Sequence, residues 1–308
     1  MRTIGSTLLL LVAGGLTCGQ TSAAQSFDAS APSAEPVPGF ASVDIGGRSL
    51  RYKCTGEGTP TVLIEPGGGV SLETVFSWGK PIGWAVIVPQ ISKLTRVCIY
   101  DRAGLGRSDP APLPRTSLDV AKDLHQLLER AHIAPPYVFA GQSYGGMNAR
   151  MFASLYPQTI AGMVLVDSSH PDMYPEVAKV LPAPTPGESQ FLQGWRNGPD
   201  LSKSREWVDL QANADLVRAT GGIGNKPLVV LSQSPDWNDP FAPDDVEPLI
   251  DGVTQRLAAQ LLTLSTDSKL IVAKKAGHNI QADEPQLVID AINDVVLRVR
   301  KSQQPLDR

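Results

Sequence analysis

Short apolar runs alternate with amphipathic stretches along most of the chain beyond residue 40. The apolar runs are four or five residues long and predict buried strands; they cover 61–65, 96–100, 137–140, 163–167, 228–231 and 270–273. Apolar residues at helical spacing occur in 118–131, and helices are also predicted over 146–155, 253–264 and 286–299. Strands that are apolar on both faces and separated by helices are typical of an α/β fold, with a mostly parallel sheet covered by helices on both faces.

Two segments depart from this alternation. Residues 42–45 and 48–53 flank the pair Gly46-Gly47, which predicts a β-hairpin. Residues 168–226 are rich in proline at first and then contain short helix-like stretches with several aromatic residues, namely Tyr174, Phe191, Trp195 and Trp207. We interpret 168–226 as an insertion over the edge of the sheet and not as a separate domain.

Residues 1–24 have the layout of a secretory signal peptide. Arg2 provides a positive charge, residues 7–16 are apolar, and Ser22-Ala23-Ala24 places small residues before a cleavage site at Gln25. The apolar run is too short to span a bilayer as a helix. An N-terminal helix of the mature protein and a lipoprotein signal ending at Cys18 are weaker alternatives. The pattern therefore predicts a secreted or periplasmic protein.

Composition narrows the class of protein further. Of 308 residues, 42 % are hydrophobic and 19 % are charged, and the net charge is −4. These are ordinary globular values, and they give no electrostatic reason to expect nucleic acid or an anionic membrane as a partner. The composition predicts a tether rich in Pro, Ala and Ser over residues 25–40, the folded domain over residues 41–300 and a polar tail over residues 301–308. Three cysteines are too few for a disulfide scaffold or a cysteine-rich zinc site. The sequence does not indicate the oligomeric state.

A candidate nucleophile lies between a predicted strand and a predicted helix. The segment Gly141-Gln142-Ser143-Tyr144-Gly145 matches the pattern G-x-S-x-G; it follows strand 137–140 and leads into helix 146–155. Small neighbours are needed because such a turn holds the serine at strained backbone angles. Negative charge that develops on the serine oxygen is stabilised at the beginning of a helix. Ser143 is therefore the predicted nucleophile, in a nucleophile elbow.

A serine nucleophile needs a base and an acid that orients the base. His278 lies in a loop after a predicted strand, at the edge of the sheet where open α/β proteins bind ligands. Asp236 and Asp167 are both candidates for the acid, since each lies at or just beyond the end of a predicted strand. Either aspartate gives the chain order Ser, Asp, His. The predicted base is His278, and two candidates for the acid stay open.

An oxyanion hole needs two N–H groups that point at the developing negative charge. One is expected from the backbone of Tyr144, which follows the nucleophile. The other is expected from the glycine run after strand 61–65, from Gly68 or next from Gly69, because glycine lets the backbone approach a substrate closely. No dinucleotide or P-loop pattern accompanies this run, which argues against a phosphate site.

Four segments, in chain order, resemble the α/β-hydrolase superfamily: VLIEPGGG (62–69), YDRAGLGRSDP (100–110), GQSYGG (141–146) and AGHNIQADEPQLVIDAI (276–292). The resemblance implies an eight-stranded sheet whose second strand is antiparallel. It also implies a helical lid between strands six and seven, which is where 168–226 falls. It favours Asp236 as the acid, although some relatives have the acid after strand six, at the position of Asp167.

The resemblance has further implications for single residues. The second and fourth strands are neighbours in this fold and carry Cys54 and Cys98, so a disulfide between these two cysteines is expected. Arg102 belongs to a loop whose role in the family is structural. This sequence departs from the family at two positions: Pro66 replaces a common histidine before the oxyanion loop, and Gln142 replaces the usual histidine before the nucleophile.

The residues and the resemblance together predict an exported serine hydrolase. It would cleave a carboxylic ester of a small molecule through an acyl-enzyme, without a metal or an organic cofactor. The same fold also supports an aminopeptidase or amidase and a carbon–carbon bond hydrolase. An aminopeptidase would need lid carboxylates to hold the substrate amine, and Glu176, Glu188 and Glu206 lie in the insertion. A non-catalytic ligand-binding protein of this fold is an alternative from a different class.

Overall fold

The computed structural model describes residues 39–76, 83–239 and 242–303. The predicted signal peptide, almost all of the predicted tether and most of the predicted polar tail lie outside these residues.

One eight-stranded sheet runs through the described part of the chain. Its strands are β1 (Ala41–Asp44), β2 (Ser49–Thr55), β3 (Thr61–Glu65), β4 (Val97–Tyr100), β5 (Tyr137–Gln142), β6 (Ile160–Val166), β7 (Leu228–Ser232) and β8 (Ser268–Val272). They lie in the order β1-β2-β4-β3-β5-β6-β7-β8. β2 is antiparallel to both β1 and β4, and every other neighbouring pair is parallel. The predicted α/β fold with an antiparallel second strand is confirmed.

Helices cover both faces of this sheet. They are α1 (Leu72–Phe76), α2 (Trp84–Ile91), α3 (Ser117–Arg130), α4 (Tyr144–Leu155), α5 (Met173–Val180), α6 (Gln190–Asn197), α7 (Leu210–Arg218), α8 (Glu247–Gln260), α9 (Ile280–Asp283) and α10 (Pro285–Gln303). The helical patterns predict α3, α4, α8 and α10. They do not predict α2, because α2 is an almost unbroken apolar run that contains Pro89. Within the described ranges, every helix is too short or too polar to span a bilayer.

The two faces of the sheet have separate apolar cores, because successive side chains of a strand point to opposite faces. On β3, Leu63 belongs to a cluster with Phe139 and with Phe152 of α4. Its neighbour Ile64 belongs to the other cluster, with Ile292 of α10. All five side chains are buried, and burial of each stabilises the fold by about 1.5–3 kcal/mol. Burial on both faces is the reason that the strands are continuous apolar runs.

The predicted insertion contributes α5, α6 and α7, which lie between β6 and β7 in the chain. α5 and α8 form a third apolar cluster that includes Val177 and Val253. Phe191 and Trp195 of α6 are partly buried against this cluster, with ring centroids 6.4 Å apart. These two aromatic residues therefore pack the helices of the insertion together, a role that no local sequence pattern indicates.

Cys54 and Cys98 are joined by a disulfide. They are directly opposite each other in the antiparallel register of β2 and β4, which brings their Cα atoms to 4.1 Å. The third cysteine, Cys18, lies outside the described residues.

Removal of this disulfide should destabilise the protein. The two cysteines are 44 residues apart, so the crosslink restricts a long loop of the unfolded chain and should contribute about 4 kcal/mol to the free energy of unfolding. Urea unfolding of the Cys54→Ser/Cys98→Ser variant, compared with the oxidised wild type, measures this loss. Reduced wild-type protein is the matched control and should unfold with the variant. Two free thiols at these positions in peptide mapping of the unreduced protein would contradict the pairing.

Candidate active site

Ser143 occupies a strained turn between β5 and α4, with φ 53° and ψ −125°. A positive φ is uncommon for a residue other than glycine. Glycines around the serine make this turn possible: a Cβ at Gly145 would lie 1.9 Å from the carbonyl oxygen of Glu65, and a Cβ at Gly146 would lie 2.0 Å from Ser168 Oγ. The structure therefore gives Ser143 the backbone geometry that the G-x-S-x-G pattern predicts.

His278 and Asp167 form a hydrogen-bonded pair at the same edge of the sheet. His278 lies in the loop between β8 and α9, and its Nδ1 is 2.6 Å from Asp167 Oδ2. Asp167 immediately follows β6 and has a positive φ of 39°, which turns it out of the strand. Its second carboxylate oxygen, Oδ1, accepts a hydrogen bond from the backbone N–H of Gln233 at 3.1 Å. Both carboxylate oxygens of Asp167 are thus engaged, and one of them orients the imidazole.

This pairing corrects the preference for Asp236 as the partner of His278. Asp236 lies four residues beyond Ser232, the end of β7, in a turn where its backbone N–H donates to Ser234 Oγ at 3.1 Å. The turn places Asp236 against a cleft of about 360 Å³ that Trp237 also lines. Among the described residues, no hydrogen bond joins Asp236 to His278. Asp167 reaches the ring instead because it is the first residue after its strand.

The protein environment shifts the pKa of His278 in opposing directions. Desolvation by the surrounding protein is the largest influence and lowers the pKa, although 50 % of the side-chain surface stays accessible. The hydrogen bond to Asp167 and the negative charge of that carboxylate raise the pKa. The two effects of Asp167 together outweigh desolvation, so the pKa of His278 lies above its ordinary value.

Gln142 contacts the other ring nitrogen of His278. Its Nε2 is 3.4 Å from His278 Nε2 and donates to the backbone carbonyl of His278 at 3.2 Å. With Nδ1–H donated to Asp167, Nε2 of the neutral ring is an acceptor, and the Gln142 amide faces it as a donor. No hydrogen bond between Ser143 Oγ and His278 Nε2 is present in the described part of the chain. Catalytic hydrogen bonds of this kind often form only when substrate is bound.

The glycine loop after β3 and the beginning of α4 flank Ser143. Tyr144 is the first residue of α4, so its N–H has no partner within the helix. A Cβ at Gly67 would lie 2.4 Å from Gln142 Oε1 and 3.4 Å from Ser143 Cβ, which shows how closely the loop approaches the serine. The N–H of Gly69 is used by Glu206 Oε2 at 2.8 Å. Of the two predicted donors in this loop, only Gly68 has an N–H without a hydrogen-bond partner among the described residues.

Arg102 is buried directly behind this loop. Its guanidinium donates to the carbonyl oxygens of Pro66 and Gly67, both at 2.7 Å. It also forms ion pairs with Glu65, at the end of β3, and with Glu206 of the lid. Burial raises the pKa of Glu65, against the opposing effect of the Arg102 charge. The predicted structural role of Arg102 therefore includes a direct contact with the site.

Two of these residues have contacts that the sequence did not predict. Gln142 was noted only as a departure from the family, although its place beside Ser143 is a signal that it could contact the base. Glu206 is separated from Arg102 by 104 residues, and no local pattern links them. The described residues contain no group of three or more His, Cys, Asp and Glu side chains that could hold a metal ion.

Comparisons with known proteins extend the similarity beyond the motifs. Residues 60–260 match the family described as alpha/beta hydrolase fold. The uncharacterized protein YqjL of Bacillus subtilis is 31 % identical over 251 residues, which cover 80 % of this chain and 87 % of YqjL.

Two solved structures illustrate how widely the fold is shared. A haloalkane dehalogenase variant from Bradyrhizobium elkanii, DbeA-M1, matches with a TM-score of 0.60 and 16 % identity, over 85 % of this chain and 97 % of that one. A serine hydrolase involved in carbazole degradation, CarC, matches with a TM-score of 0.56 and 17 % identity, over 84 % of this chain and 98 % of that one. At such low identities, these similarities show the fold alone.

The pairing of His278 with Asp167 can be tested by titration. The His278 ring should titrate above about 6.5 in NMR spectra, and Asp167→Asn should move its titration to lower pH, because the charge that raises the pKa is removed while desolvation remains. His170 is an internal reference, since burial, followed by the charge of Arg150, lowers its pKa to about 4. An unchanged titration of His278 in Asp167→Asn would contradict the pairing.

Proposed function

The chain belongs to the alpha/beta hydrolase family, and from this premise we propose that it is an exported serine hydrolase that cleaves a carboxylic ester. One observation carries the proposal: Ser143 lies in the strained turn at the end of β5, and the hydrogen-bonded pair His278–Asp167 lies at the same sheet edge. A nucleophile, a base and an orienting acid are the parts that acyl transfer requires.

In the proposed reaction, Ser143 Oγ attacks the ester carbonyl while His278 Nε2 takes the hydroxyl proton. At this step His278 Nε2 gives up its contact with the Gln142 amide and forms a hydrogen bond with Ser143 Oγ. Asp167 holds the Nδ1–H tautomer and stabilises the imidazolium that forms. The N–H groups of Gly68 and Tyr144 bind the oxyanion, and each such donor contributes about 2.7–4 kcal/mol to transition-state stabilisation.

The tetrahedral intermediate then collapses. His278 gives its proton to the leaving alcohol, and Ser143 remains as an acyl ester. A water molecule, deprotonated by the same Nε2, attacks this ester, and collapse of the second intermediate releases the carboxylic acid and returns the proton to Ser143 Oγ. Atoms and protons balance over the cycle with water as the only co-reactant.

The charges of the lid favour an ester over the aminopeptidase alternative. Each of the three glutamates that could bind a substrate ammonium already forms an ion pair, although Arg102 is shared between Glu206 and Glu65. Glu176 pairs with Lys179 and Arg256, Glu188 with Arg196 and Glu206 with Arg102. Since each of these carboxylates already has a cationic partner, it offers less attraction to a substrate amine. A serine nucleophile also sets the proposed chemistry apart from dehalogenases, in which a carboxylate attacks.

A fluorophosphonate probe tests the nucleophile. Wild-type protein should be labelled and Ser143→Ala should not, because the probe reacts with an activated serine hydroxyl. Mass spectrometry of the intact protein measures the adduct, and hydrolysis of a panel of p-nitrophenyl esters measures turnover. Absence of label on the wild type would favour a non-catalytic binding protein of the same fold.

The two aspartates are matched controls in the same assay. Asp167→Asn should lower kcat by about 10⁴-fold, because the wrong histidine tautomer is then favoured. Asp236→Asn makes the same change in a turn that does not contact His278, and it should leave kcat within about threefold. The reverse ranking would restore Asp236 as the acid.

We also propose that the protein acts in an oxidising compartment outside the cytoplasm. The signal-peptide pattern of residues 1–24 and the Cys54–Cys98 pairing support this, since disulfides persist in secreted and periplasmic proteins. When the full chain is expressed in a bacterium that exports proteins, the extracytoplasmic product should begin at Gln25. A cytoplasmic product that retains residues 1–24 would contradict the proposal.

A further inference from the structure

The Arg102 guanidinium touches both segments that supply the proposed oxyanion donors. On one side it donates to the carbonyls of Pro66 and Gly67, both at 2.7 Å. On the other side its Cζ lies 5.5 Å from the ring centroid of Tyr144, within the range of a cation–π contact. A single buried side chain therefore spans the distance between the glycine loop and the beginning of α4.

The peptide group between Gly67 and Gly68 explains why this contact matters. In a trans peptide, the C=O and the following N–H point in opposite directions. Arg102 donates to the Gly67 carbonyl at 2.7 Å, and the N–H of Val70 donates to the same oxygen at 3.4 Å. The shorter contact, from Arg102, therefore helps to determine the direction of the Gly68 N–H. A hydrogen bond from a cation to the carbonyl polarises the peptide and makes its N–H a stronger donor.

Glu206 restrains the next peptide group of the same loop. Its Oε2 accepts the N–H of Gly69 at 2.8 Å and also accepts from Arg102 Nη2 at 3.1 Å, while Oε1 pairs with Arg102 Nε. The peptide groups on both sides of Gly68 are thus pinned by one connected pair of side chains. Glycine has wide backbone freedom, so a defined N–H direction at Gly68 needs such external restraints.

The cluster is deeply buried. The side chains of Arg102, Glu65 and Glu206 are 2 %, 0 % and 3 % exposed. In such surroundings, hydrogen bonds and ion pairs are strong, and loss of one partner leaves the others without compensation.

The lid segment that carries Glu206 is docked on the body of the protein. The backbone of Arg115 donates to the carbonyl of Trp207 at 2.8 Å and accepts from the N–H of Asp209 at 2.9 Å. A Cβ at Gly104 would lie 2.5 Å from the carbonyl oxygen of Arg205, so the segment is also packed tightly against the loop that contains Arg102. Glu206 occupies its position only while this segment is docked.

We propose that Arg102 and Glu206 are positioning residues for the oxyanion hole, and that Glu206 makes the direction of the Gly68 N–H depend on the docked lid. This inference rests on the proposed function, because it concerns a transition state that only acyl transfer generates. Neither residue touches the reacting atoms; both act through the glycine loop.

The variant Glu206→Gln tests the proposal with little change in shape. Glutamine keeps one acceptor oxygen, but its NH₂ group replaces the other and faces an N–H donor of Arg102 or Gly69. The side chain can then no longer accept hydrogen bonds from both Arg102 nitrogens and the Gly69 N–H. We expect kcat on a p-nitrophenyl ester to fall about tenfold or more while KM changes less than about threefold, since the interaction is made in the transition state. Glu206→Asp keeps both oxygens and the charge, and it should recover most of the lost kcat.

Glu188→Gln is the matched control. Glu188 lies in the same lid and forms an ion pair with Arg196 at 2.7 Å. This ion pair does not contact the glycine loop, and the substitution is chemically the same. The kcat of Glu188→Gln should stay within about twofold of wild type. The kcat of both glutamine variants is measured well below their melting temperatures, because loss of a more deeply buried partner should lower the melting temperature of Glu206→Gln more. Equal losses of kcat in both variants, or an unchanged kcat in Glu206→Gln, would overturn the proposal.

Hydrogen exchange provides a readout that does not need turnover. Amide exchange of a peptide that covers residues 66–70, measured by mass spectrometry, should be faster in Glu206→Gln than in wild type and unchanged in Glu188→Gln. If the wild type neither hydrolyses esters nor reacts with the fluorophosphonate probe, the proposed function fails. Hydrogen exchange then still tests whether Glu206 restrains the glycine loop. Faster exchange in Glu206→Gln alone supports the restraint, and equal exchange in all three proteins overturns it.

Discussion

The close approach of α4 to the end of β3 is the constraint on which the site depends. A side chain at Gly145 would overlap the carbonyl of Glu65, so only glycine allows α4 to begin directly above this strand. Ser143, just before this helix, has a positive φ, and a Cβ at Gly67 would lie 3.4 Å from Ser143 Cβ, so the loop that follows Glu65 lies beside the serine. The nucleophile, both proposed oxyanion donors and the buried carboxylate are neighbours because of this one contact between backbones.

The buried charges behind the site follow from the same packing. Glu65 lies where a strand buried on both faces ends, and burial raises the pKa of its carboxyl. Arg102 forms ion pairs with both Glu65 and Glu206, and it uses its remaining donors on backbone carbonyls of the glycine loop. Buried ion pairs of this kind are weak evidence for stability, because desolvation offsets the attraction. Their value here is orientation, since a guanidinium fork holds several acceptors in a fixed geometry.

Much of the fold could be predicted because it depends on local patterns. The run TVLIE coincides with β3, since a strand buried on both faces must be apolar throughout. Ser143 could be predicted as the candidate nucleophile because its motif includes the strand before it and the helix after it. α2 was not predicted because an almost continuous apolar run with an internal proline lacks the hydrophobic periodicity that identifies an amphipathic helix.

The choice between Asp167 and Asp236 shows where local patterns stop. Both aspartates follow neighbouring parallel strands, and both satisfy the chain order of a triad. Only the turn geometry after each strand separates them: a positive φ at Asp167 directs its carboxylate to His278, and the turn at Ser234 carries Asp236 to another cleft.

The sequence was enough to predict the class of fold, the candidate nucleophile and the candidate base, because these depend on hydrophobic period and on motifs that are each contained in one short segment. The tertiary structure alone decided which aspartate meets His278, that Gln142 faces the ring, and that Glu206 reaches the oxyanion loop through Arg102. These contacts join residues that are far apart in the chain. Each depends on how loops leave the sheet edge and on how the lid docks, and no local pattern of side chains encodes either.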